Sequence, residues 1–278
     1  MSNPTQAAPQ AAIDLAAIKG RQQVAWSTGD YAIIGGTLVS IAESLCDAVG
    51  VRAGQTVLDV ATGSGNAALA AARRWCIVTG CDYVPALLER GRERAAAERL
   101  AVAFQHGDAE ANPFPDESFD VVLSTFGVMF APDQQKSADE LLRVCRPDGK
   151  IGLANWTPEG FIGRLFKVLG QHVPPVSGLR SPMQWGTEAR LRELFGDRVR
   201  ALDIQSRHFT FNYCSPQHFI ETFRTYYGPV NKAFAALEPA KQEALYHDLA
   251  VLLNDMNTAG DDALAVPSEY LEVVAVKR

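Results

Sequence analysis

The chain has 278 residues, of which 47% are hydrophobic and 21% are charged, and its net charge is −6. This composition is typical of a globular enzyme, and the length allows one elaborated domain or two small ones. Binding to nucleic-acid phosphates requires clustered Lys and Arg, whereas the basic residues here are scattered among acidic ones. We therefore expect no nucleic-acid partner.

The five cysteines form no CxxC pair, so we expect neither a zinc site nor a disulfide framework, and no bound metal. Residues 1–12 are polar and rich in Ala and Pro, which predicts a disordered tail rather than a signal peptide. No segment is interpreted as long enough to span a bilayer. Together these features predict a cytoplasmic protein without a membrane partner, as a monomer or a homodimer.

The first half of the chain predicts alternating strands and helices. Helices are predicted over 13–27 and 36–49, and residues 55–156 then follow a strand–helix rhythm that implies a parallel sheet with right-handed crossovers. In this part, strands are predicted near 56–60, 77–81, 102–105, 119–124 and 150–155, and helices over 66–74, 84–99 and 134–145.

The rhythm changes after residue 156. The sequence predicts a helix near 159–169, a Pro/Gly loop over 173–186, a helix over 188–195 with Thr187 as its N-cap, a strand over 199–212, helices within 215–257 and a last strand over 270–276. We interpret the chain as a tail (1–12), N-terminal cap helices (13–50), a core (51–212 and 263–278) and a helical lid (213–262).

The most informative segment is VLDVATGSGN at residues 57–66, which indicates a buried strand, a glycine turn and the start of a helix. Glycines allow a ligand to approach the backbone closely, and a helix N-terminus offers free N–H groups. The next predicted strand ends in Asp82, whose carboxylate is placed to accept both hydroxyls of a ribose. These features predict a nucleoside-binding crevice at the carboxyl ends of parallel strands.

The turn also fits the dinucleotide fingerprint G-x-G-x-x-A, a weak signal by itself that leaves a nicotinamide cofactor open. Two further segments argue against a nicotinamide cofactor. The sequence GDAE at 107–110 follows the third predicted strand, and FPDESFDVV at 114–122 leads into the fourth. Two helices also precede the glycine turn, whereas dehydrogenase fingerprints often open the chain.

In this order, these motifs resemble those of class I S-adenosylmethionine-dependent methyltransferases, and most closely the small-molecule subgroup of ubiquinone and menaquinone biosynthesis. The resemblance covers residues 20–156 and includes LLRVCRPDGK at 141–150. It implies an α/β, Rossmann-like fold with a seven-stranded, mostly parallel sheet in the order 3-2-1-4-5-7-6 and an antiparallel last strand. It also implies S-adenosylmethionine as the cofactor.

The resemblance implies a role for individual residues. Asp59 orients the turn or the methionine amino group, and Ala61 occupies a position where the family usually has glycine. The remaining cofactor residues that it implies are Gly63 and Gly65 at the methionine, Asp82 at the ribose, Tyr83, Asp108 and Ala109 at the adenine, and Ser124 and Thr125 beneath the sulfonium. Trp26 and Tyr31 close the pocket from the N-terminal side as substrate-binding residues.

The end of the fourth strand argues against one class of substrate. Its sequence STFG at 124–127 differs from the Asn/Asp-Pro-Pro-aromatic tetrapeptide of enzymes that methylate exocyclic nucleobase amines. If the nucleophile needs a general base, the sequence offers only weak candidates for it, because side chains of these types more often have a structural role. They are His172, Tyr226, Tyr227, His208 and His218.

Eight aromatic residues lie within residues 209–234. They are interpreted either as a helical core or as an aromatic acceptor pocket, with Phe223 and Tyr227 as further substrate-binding residues. The sequence thus predicts methyl transfer to an apolar or aromatic small molecule by in-line displacement. The alternatives are a nicotinamide-dependent oxidoreductase and a catalytically silent cofactor-binding module.

Overall fold

A computed structural model describes residues 14–278, so the tail predicted over 1–12 lies outside the described residues. Seven strands form one sheet in the order β3-β2-β1-β4-β5-β7-β6, which confirms the predicted order. The strands are β1 (Thr56–Val60), β2 (Ile77–Asp82), β3 (Val102–His106), β4 (Phe119–Thr125), β5 (Cys145–Trp156), β6 (Val199–Tyr213) and β7 (Leu264–Lys277).

Eleven α-helices within the described residues surround this sheet. Three precede the first strand, three connect the parallel strands, and five follow the fifth strand. They are α1 (Leu15–Trp26), α2 (Tyr31–Gly35), α3 (Val39–Val49), α4 (Asn66–Arg73), α5 (Pro85–Ala97), α6 (Gln134–Val144), α7 (Phe161–His172), α8 (Glu188–Phe195), α9 (Pro216–Tyr226), α10 (Gly228–Ala235) and α11 (Pro239–Met256). The loop predicted over 173–186 ends in a short 3₁₀ helix, Pro182–Gly186.

The strand pairing places the ligand-binding motifs at one edge of the sheet. Strands β1, β2, β3, β4 and β5 run parallel, and β7 is antiparallel to both β5 and β6, as predicted. The chain order reverses between β1 and β4, and a crevice opens at such a switch point outside the carboxyl ends of the strands. The glycine turn after β1 and Asp82 at the end of β2 both reach this crevice.

Local signals fix the start of several helices. The Thr187 side chain accepts a hydrogen bond from the Arg190 backbone N–H, which confirms the predicted N-cap of α8. Asp30 caps α2 and Asp133 caps α6 in the same way, each accepting a backbone N–H of the first turn. These side chains satisfy donors that the first helical turn leaves unpaired.

The aromatic cluster of residues 209–234 is largely a packed core. Phe219 stacks on Phe223 with ring centroids 3.9 Å apart, and Phe211 meets both rings edge to face. All three rings are buried, and the ring of Phe161 from α7 closes the cluster beneath them. The helical-core alternative therefore describes these residues.

One expectation about membrane-spanning segments is wrong. Residues Tyr31–Val49 form a helical stretch that is long and apolar enough to cross a membrane by length and composition. The sequence interpretation placed a break within this stretch, but α2, a 3₁₀ turn and α3 follow one another without interruption. In this fold Ile41, Leu45 and Val49 of α3 are buried in the core.

Candidate active site

A cleft of about 940 Å³, its open mouth included, lies at the carboxyl ends of β1, β2 and β4. The glycine turn and the loops after β2, β3 and β4 form its floor, and α1 and α2 lie across it. Its lining residues are Lys19, Gln22, Trp26, Tyr31, Leu38, Ala61, Thr62, Gly63, Ser64, Asn66, Asp82, Tyr83, Val84, Leu87, Gly107, Asp108, Ala109, Glu110, Thr125, Phe126, Gly127, Phe130, Ala131 and Pro132.

The glycine turn adopts a left-handed backbone at three positions. The φ angles are 52° at Ala61, 54° at Gly63 and 88° at Gly65. Ala61 thus holds a conformation that costs a side-chain-bearing residue about 1–2 kcal/mol, at the position where the family usually has glycine. Gly65 does not line the cleft, since a methyl group there would lie 3.0 Å from the Phe104 ring behind the turn.

Asp59 supports the turn from below. Its Oδ2 accepts hydrogen bonds from the Thr62 hydroxyl (2.5 Å) and the Ala68 backbone N–H (2.9 Å). Its Oδ1 is buried without a hydrogen-bond partner in the described residues. Burial raises the pKa of Asp59 to about 7. Because Asp59 is fully buried and does not line the cleft, these contacts favour the turn-orienting role over direct contact with a ligand.

Asp82 joins the end of β2 to the glycine turn. Its Oδ2 accepts the Gly63 backbone N–H and its Oδ1 accepts the Val84 backbone N–H, each at 2.9 Å. The carboxylate is buried yet lines the cleft, and burial raises its pKa to about 6. Asp82 can therefore offer its remaining lone pairs to a ligand that enters beside the turn.

Asp108 forms an ion pair that the sequence analysis did not predict. Lys19 Nζ of α1 lies 2.6 Å from Asp108 Oδ2 and 2.7 Å from Glu110 Oε2. Glu110 is almost fully buried, and its other oxygen accepts the Asp133 backbone N–H. Lys19 thus links the first helix to the loop after β3.

Two side-chain amides of α1 donate hydrogen bonds to loops on the other side of the cleft. Gln22 Nε2 donates to the Phe130 carbonyl (3.0 Å), and Gln23 Nε2 donates to the Tyr83 carbonyl (2.6 Å). The sequence did hold a signal for this arrangement, because Lys19, Gln22 and Trp26 recur at the spacing of one helix face.

The other end of the cleft is aromatic. The Trp26 ring meets Tyr31 and Phe130 edge to face, with centroids 5.6 Å and 5.1 Å apart. We call Trp26, Tyr31 and Phe130 the aromatic wall. Thr125 lines the cleft here, whereas Ser124 is buried beneath it, donating to the Val60 carbonyl and accepting the Val128 N–H.

The candidate bases predicted from the sequence do not reach this cleft. His172 Nε2 lies 2.7 Å from Asp248 Oδ2 of α11, and His218 Nδ1 accepts the Cys214 backbone N–H. His208 is exposed on the edge strand β6. His172 ends α7, His218 lies in the first turn of α9 and His208 lies within β6. All three elements follow β5 in the chain, and the sequence pattern does not relate them to the crevice. Tyr226 does not line the cleft either.

The two lid residues named as substrate-binding do not line the cleft. Phe223 is buried within the aromatic core, because its ring faces Phe211 and Phe219. Tyr227 lies behind the aromatic wall, with its ring centroid 5.7 Å from that of Trp26. Only Trp26 and Tyr31 of the four predicted substrate-binding residues border the cleft itself.

The raised pKa of Asp59 predicts a pH-dependent stability. A carboxyl whose folded-state pKa of about 7 exceeds its ordinary value of 3.8 binds its proton more tightly in the folded state. The free energy of unfolding therefore rises as the pH falls from about 7 towards 4, by at most about 1.4 kcal/mol per pH unit for this group. We expect Asp59→Asn to flatten this slope in urea titrations. If the free energy of unfolding depended on pH equally in the native protein and in Asp59→Asn, the raised pKa of Asp59 would be contradicted.

A family model described as "Methyltransferase domain" matches residues 58–153, which run from β1 into β5 and include the glycine turn, Asp82 and Asp108. The fold is that of an α/β protein with a crevice at its switch point. The enzyme class that the matching family model describes is methyltransferase.

The chain is similar to proteins of several organisms. An uncharacterised protein of Mycobacterium tuberculosis is 41% identical over 217 residues, covering 76% of this chain and 78% of that one. The demethylmenaquinone methyltransferase of Deinococcus radiodurans is 38% identical over 126 residues, covering 44% of this chain and 52% of the enzyme. Phosphoethanolamine N-methyltransferase 2 of Haemonchus contortus, solved with S-adenosylhomocysteine, has 19% identity and a TM-score of 0.55 over 86% of this chain and 52% of that one.

The chain belongs to the class I S-adenosylmethionine-dependent methyltransferases, and over less than half of its length it is similar to a demethylmenaquinone methyltransferase. The predicted cofactor, S-adenosylmethionine, is thereby confirmed, and the nicotinamide alternative is not supported.

Proposed function

We propose that this enzyme transfers the methyl group of S-adenosylmethionine to an apolar or aromatic small molecule held against the aromatic wall. One observation carries the proposal: a single cleft has acidic groups at one end, the glycine turn with Tyr31 packed on it, and the rings of Trp26 and Phe130 beside Tyr31. Clefts that are mostly apolar with a few placed polar groups are typical small-molecule sites.

The acidic end fits the cofactor. Asp82 would accept the ribose hydroxyls, since its two backbone contacts leave lone pairs free towards the cleft. Asp108, Ala109 and Tyr83 would border the adenine, and Asp108 can accept a further donor beside Lys19. The methionine part would lie along Ala61 and Gly63, where the left-handed turn exposes its backbone.

The cofactor supplies a methyl group on a positively charged sulfur, and transfer requires the nucleophile, methyl carbon and sulfur to lie in line. Orientation of this kind can provide much of the rate enhancement. The glycine turn and Asp82 would hold S-adenosylmethionine in position, and the aromatic wall would hold the methyl acceptor. Gln22 and Gln23 hold α1 over both, which would keep water out of the cleft.

The proposal is tested by measuring S-adenosylhomocysteine formation with a panel of phenols, quinols, prenyl compounds and thiols. We expect turnover with at least one aromatic acceptor. Trp26→Ala should lower kcat/KM for that acceptor at least tenfold, because the ring contributes a large apolar contact area. The affinity for S-adenosylhomocysteine should change less than threefold.

Trp75→Ala is the matched control, because Trp75 is 82% exposed and precedes β2 at the opposite edge of the sheet. It should leave both acceptor kinetics and cofactor affinity unchanged. Equal acceptor kinetics in Trp26→Ala and the native enzyme would overturn the acceptor site. Cofactor binding without turnover of any panel member would favour the catalytically silent module.

A further inference from the structure

The ionisable side chains that line the cleft are unevenly distributed. Six described residues carry them, namely Lys19, Tyr31, Asp82, Tyr83, Asp108 and Glu110. All but Tyr31 belong to the end where the ribose and adenine would lie. At the aromatic wall, Tyr31 is the one ionisable group among the lining residues that the structure describes.

The carboxylates of the acidic end are held by specific partners. Asp82 accepts two backbone N–H groups. Glu110 accepts the Asp133 N–H with one oxygen and pairs with Lys19 through the other. Asp108 pairs with the same Lys19 and accepts the Glu110 N–H. These contacts keep the carboxylates facing the cofactor end, away from an acceptor at the wall.

Tyr31 lines the cleft and carries a hydroxyl, a group that can donate a hydrogen bond. A methyl group at Gly63 would lie 3.9 Å from its ring, so the ring packs on the turn that would hold the methionine. Its hydroxyl makes no hydrogen bond to the residues that the structure describes. Burial, next to the ring of Tyr227, raises the pKa of Tyr31 to about 12, so the group stays protonated at neutral pH.

The remaining sequence adds no side chain that could take up a proton here. Residues 1–13, which lie outside the described part, contain no Asp, Glu, His, Cys, Tyr or Lys. All five histidines and all five cysteines fall within the described residues, and none of them lines the cleft. The arrangement therefore suits an acceptor that has lost its proton before methyl transfer.

The surroundings favour a reaction between opposite charges. In a cleft walled by aromatic rings, the effective dielectric constant is lower than in water, so an anion and a sulfonium attract more strongly. Transfer converts both charged groups into neutral ones, and the product no longer needs charge stabilisation from the protein. A protonated hydroxyl or thiol would instead need a base to remove its proton.

Building on the proposed function, we propose that the acceptor is an acidic aromatic compound, a phenol or an aryl thiol, which enters as its anion and receives a hydrogen bond from the Tyr31 hydroxyl. The proton leaves to solvent before binding. A lone pair of the anionic oxygen or sulfur forms the bond to the methyl carbon while the carbon–sulfur bond of the sulfonium breaks, and its electron pair stays on the sulfur. The products are a methyl ether or thioether and S-adenosylhomocysteine.

The experiment measures kcat/KM against pH for ring-substituted phenols and thiophenols of graded acidity, at saturating S-adenosylmethionine. We expect kcat/KM to rise tenfold per pH unit below the pKa of each acceptor and to level off above it. The break should move with the acceptor, and for acceptors that are already ionised kcat/KM should not change over the same pH range.

Tyr31→Phe should lower kcat/KM for the ionised acceptors at least tenfold, the effect of losing a hydrogen bond to a charged group. Calorimetry with S-adenosylhomocysteine should show nearly unchanged cofactor affinity, since the ring remains on the turn. Tyr246→Phe on α11, half-buried and outside the cleft, is the matched control and should match the native enzyme.

Three results would overturn the inference. One is a break at the same pH for all acceptors, which would reveal a base on the enzyme. The second is equal turnover of benzyl alcohols or anilines of the same ring size, which carry no negative charge at pH 7. The third is unchanged kinetics in Tyr31→Phe. Turnover of benzyl alcohols or anilines would leave the proposed function intact. Unchanged acceptor kinetics in Trp26→Ala would instead contradict the proposed function.

Discussion

Replacing Asp82 by alanine should lower the affinity for S-adenosylhomocysteine at least 100-fold. The change removes the carboxylate that would bind two ribose hydroxyls, and hydrogen bonds to a charged group contribute about 1.5–3 kcal/mol each. It also releases the Gly63 and Val84 backbone N–H groups, which Asp82 holds at 2.9 Å. The turn that faces the methionine would therefore lose its support at the same time.

Isothermal titration calorimetry measures this effect directly. Asp82→Asn separates the two contributions, because an amide oxygen can still accept one backbone N–H but carries no charge; we expect an affinity between those of the native protein and the alanine variant. Asp203→Ala, at an exposed position on β6, is the control and should bind normally. Unchanged affinity in a folded Asp82→Ala variant would rule out the ribose site.

Phe223→Ala should have the largest effect on stability, lowering the free energy of unfolding by about 3–5 kcal/mol. Phe223 is 2% exposed, stacks on Phe219 and contacts the rings of Phe211 and Tyr227. Its removal leaves a cavity in a close-packed aromatic core that cannot collapse freely. Urea unfolding followed by circular dichroism measures the difference.

The same variant separates a core role from an acceptor-binding role. Below its unfolding temperature, the folded Phe223→Ala enzyme should retain the acceptor KM of the native protein, because the ring does not line the cleft. Phe209→Ala, at a half-buried position at the edge of the same cluster, should cost less stability. A raised acceptor KM with little loss of stability would indicate that Phe223 binds the acceptor.

The sheet was predictable from the sequence because its signals are local and periodic. Short apolar strands alternate with helices up to residue 156. The spacing of apolar residues in each strand or helix indicates which of its faces is buried. Strand order is a long-range property, and only the resemblance to a family supplied it. The continuity of residues 31–49 escaped prediction, because the predicted helix began only at residue 36, whereas α2 begins at Tyr31.

The acidic end of the cleft was predictable for a related reason. Asp82 ends a strand, and the turn and Asp108 each follow one, and parallel strands bring their carboxyl ends to one edge. Lys19 belongs to α1, which reaches the cleft only through helix packing, so no strand-end rule points to it. Phe130 follows the end of β4, where the sequence analysis named only Ser124 and Thr125. The aromatic residues after 208 were ambiguous, because aromatic side chains build both cores and pockets.

A crystal structure with S-adenosylhomocysteine bound would test the central claim most directly. We expect the ribose hydroxyls within hydrogen-bond distance of the Asp82 carboxylate, the adenine beside Asp108, and the sulfur facing the wall of Trp26, Tyr31 and Phe130. A ligand bound with its sulfur turned away from that wall, or bound outside this cleft, would contradict both the donor site and the acceptor site.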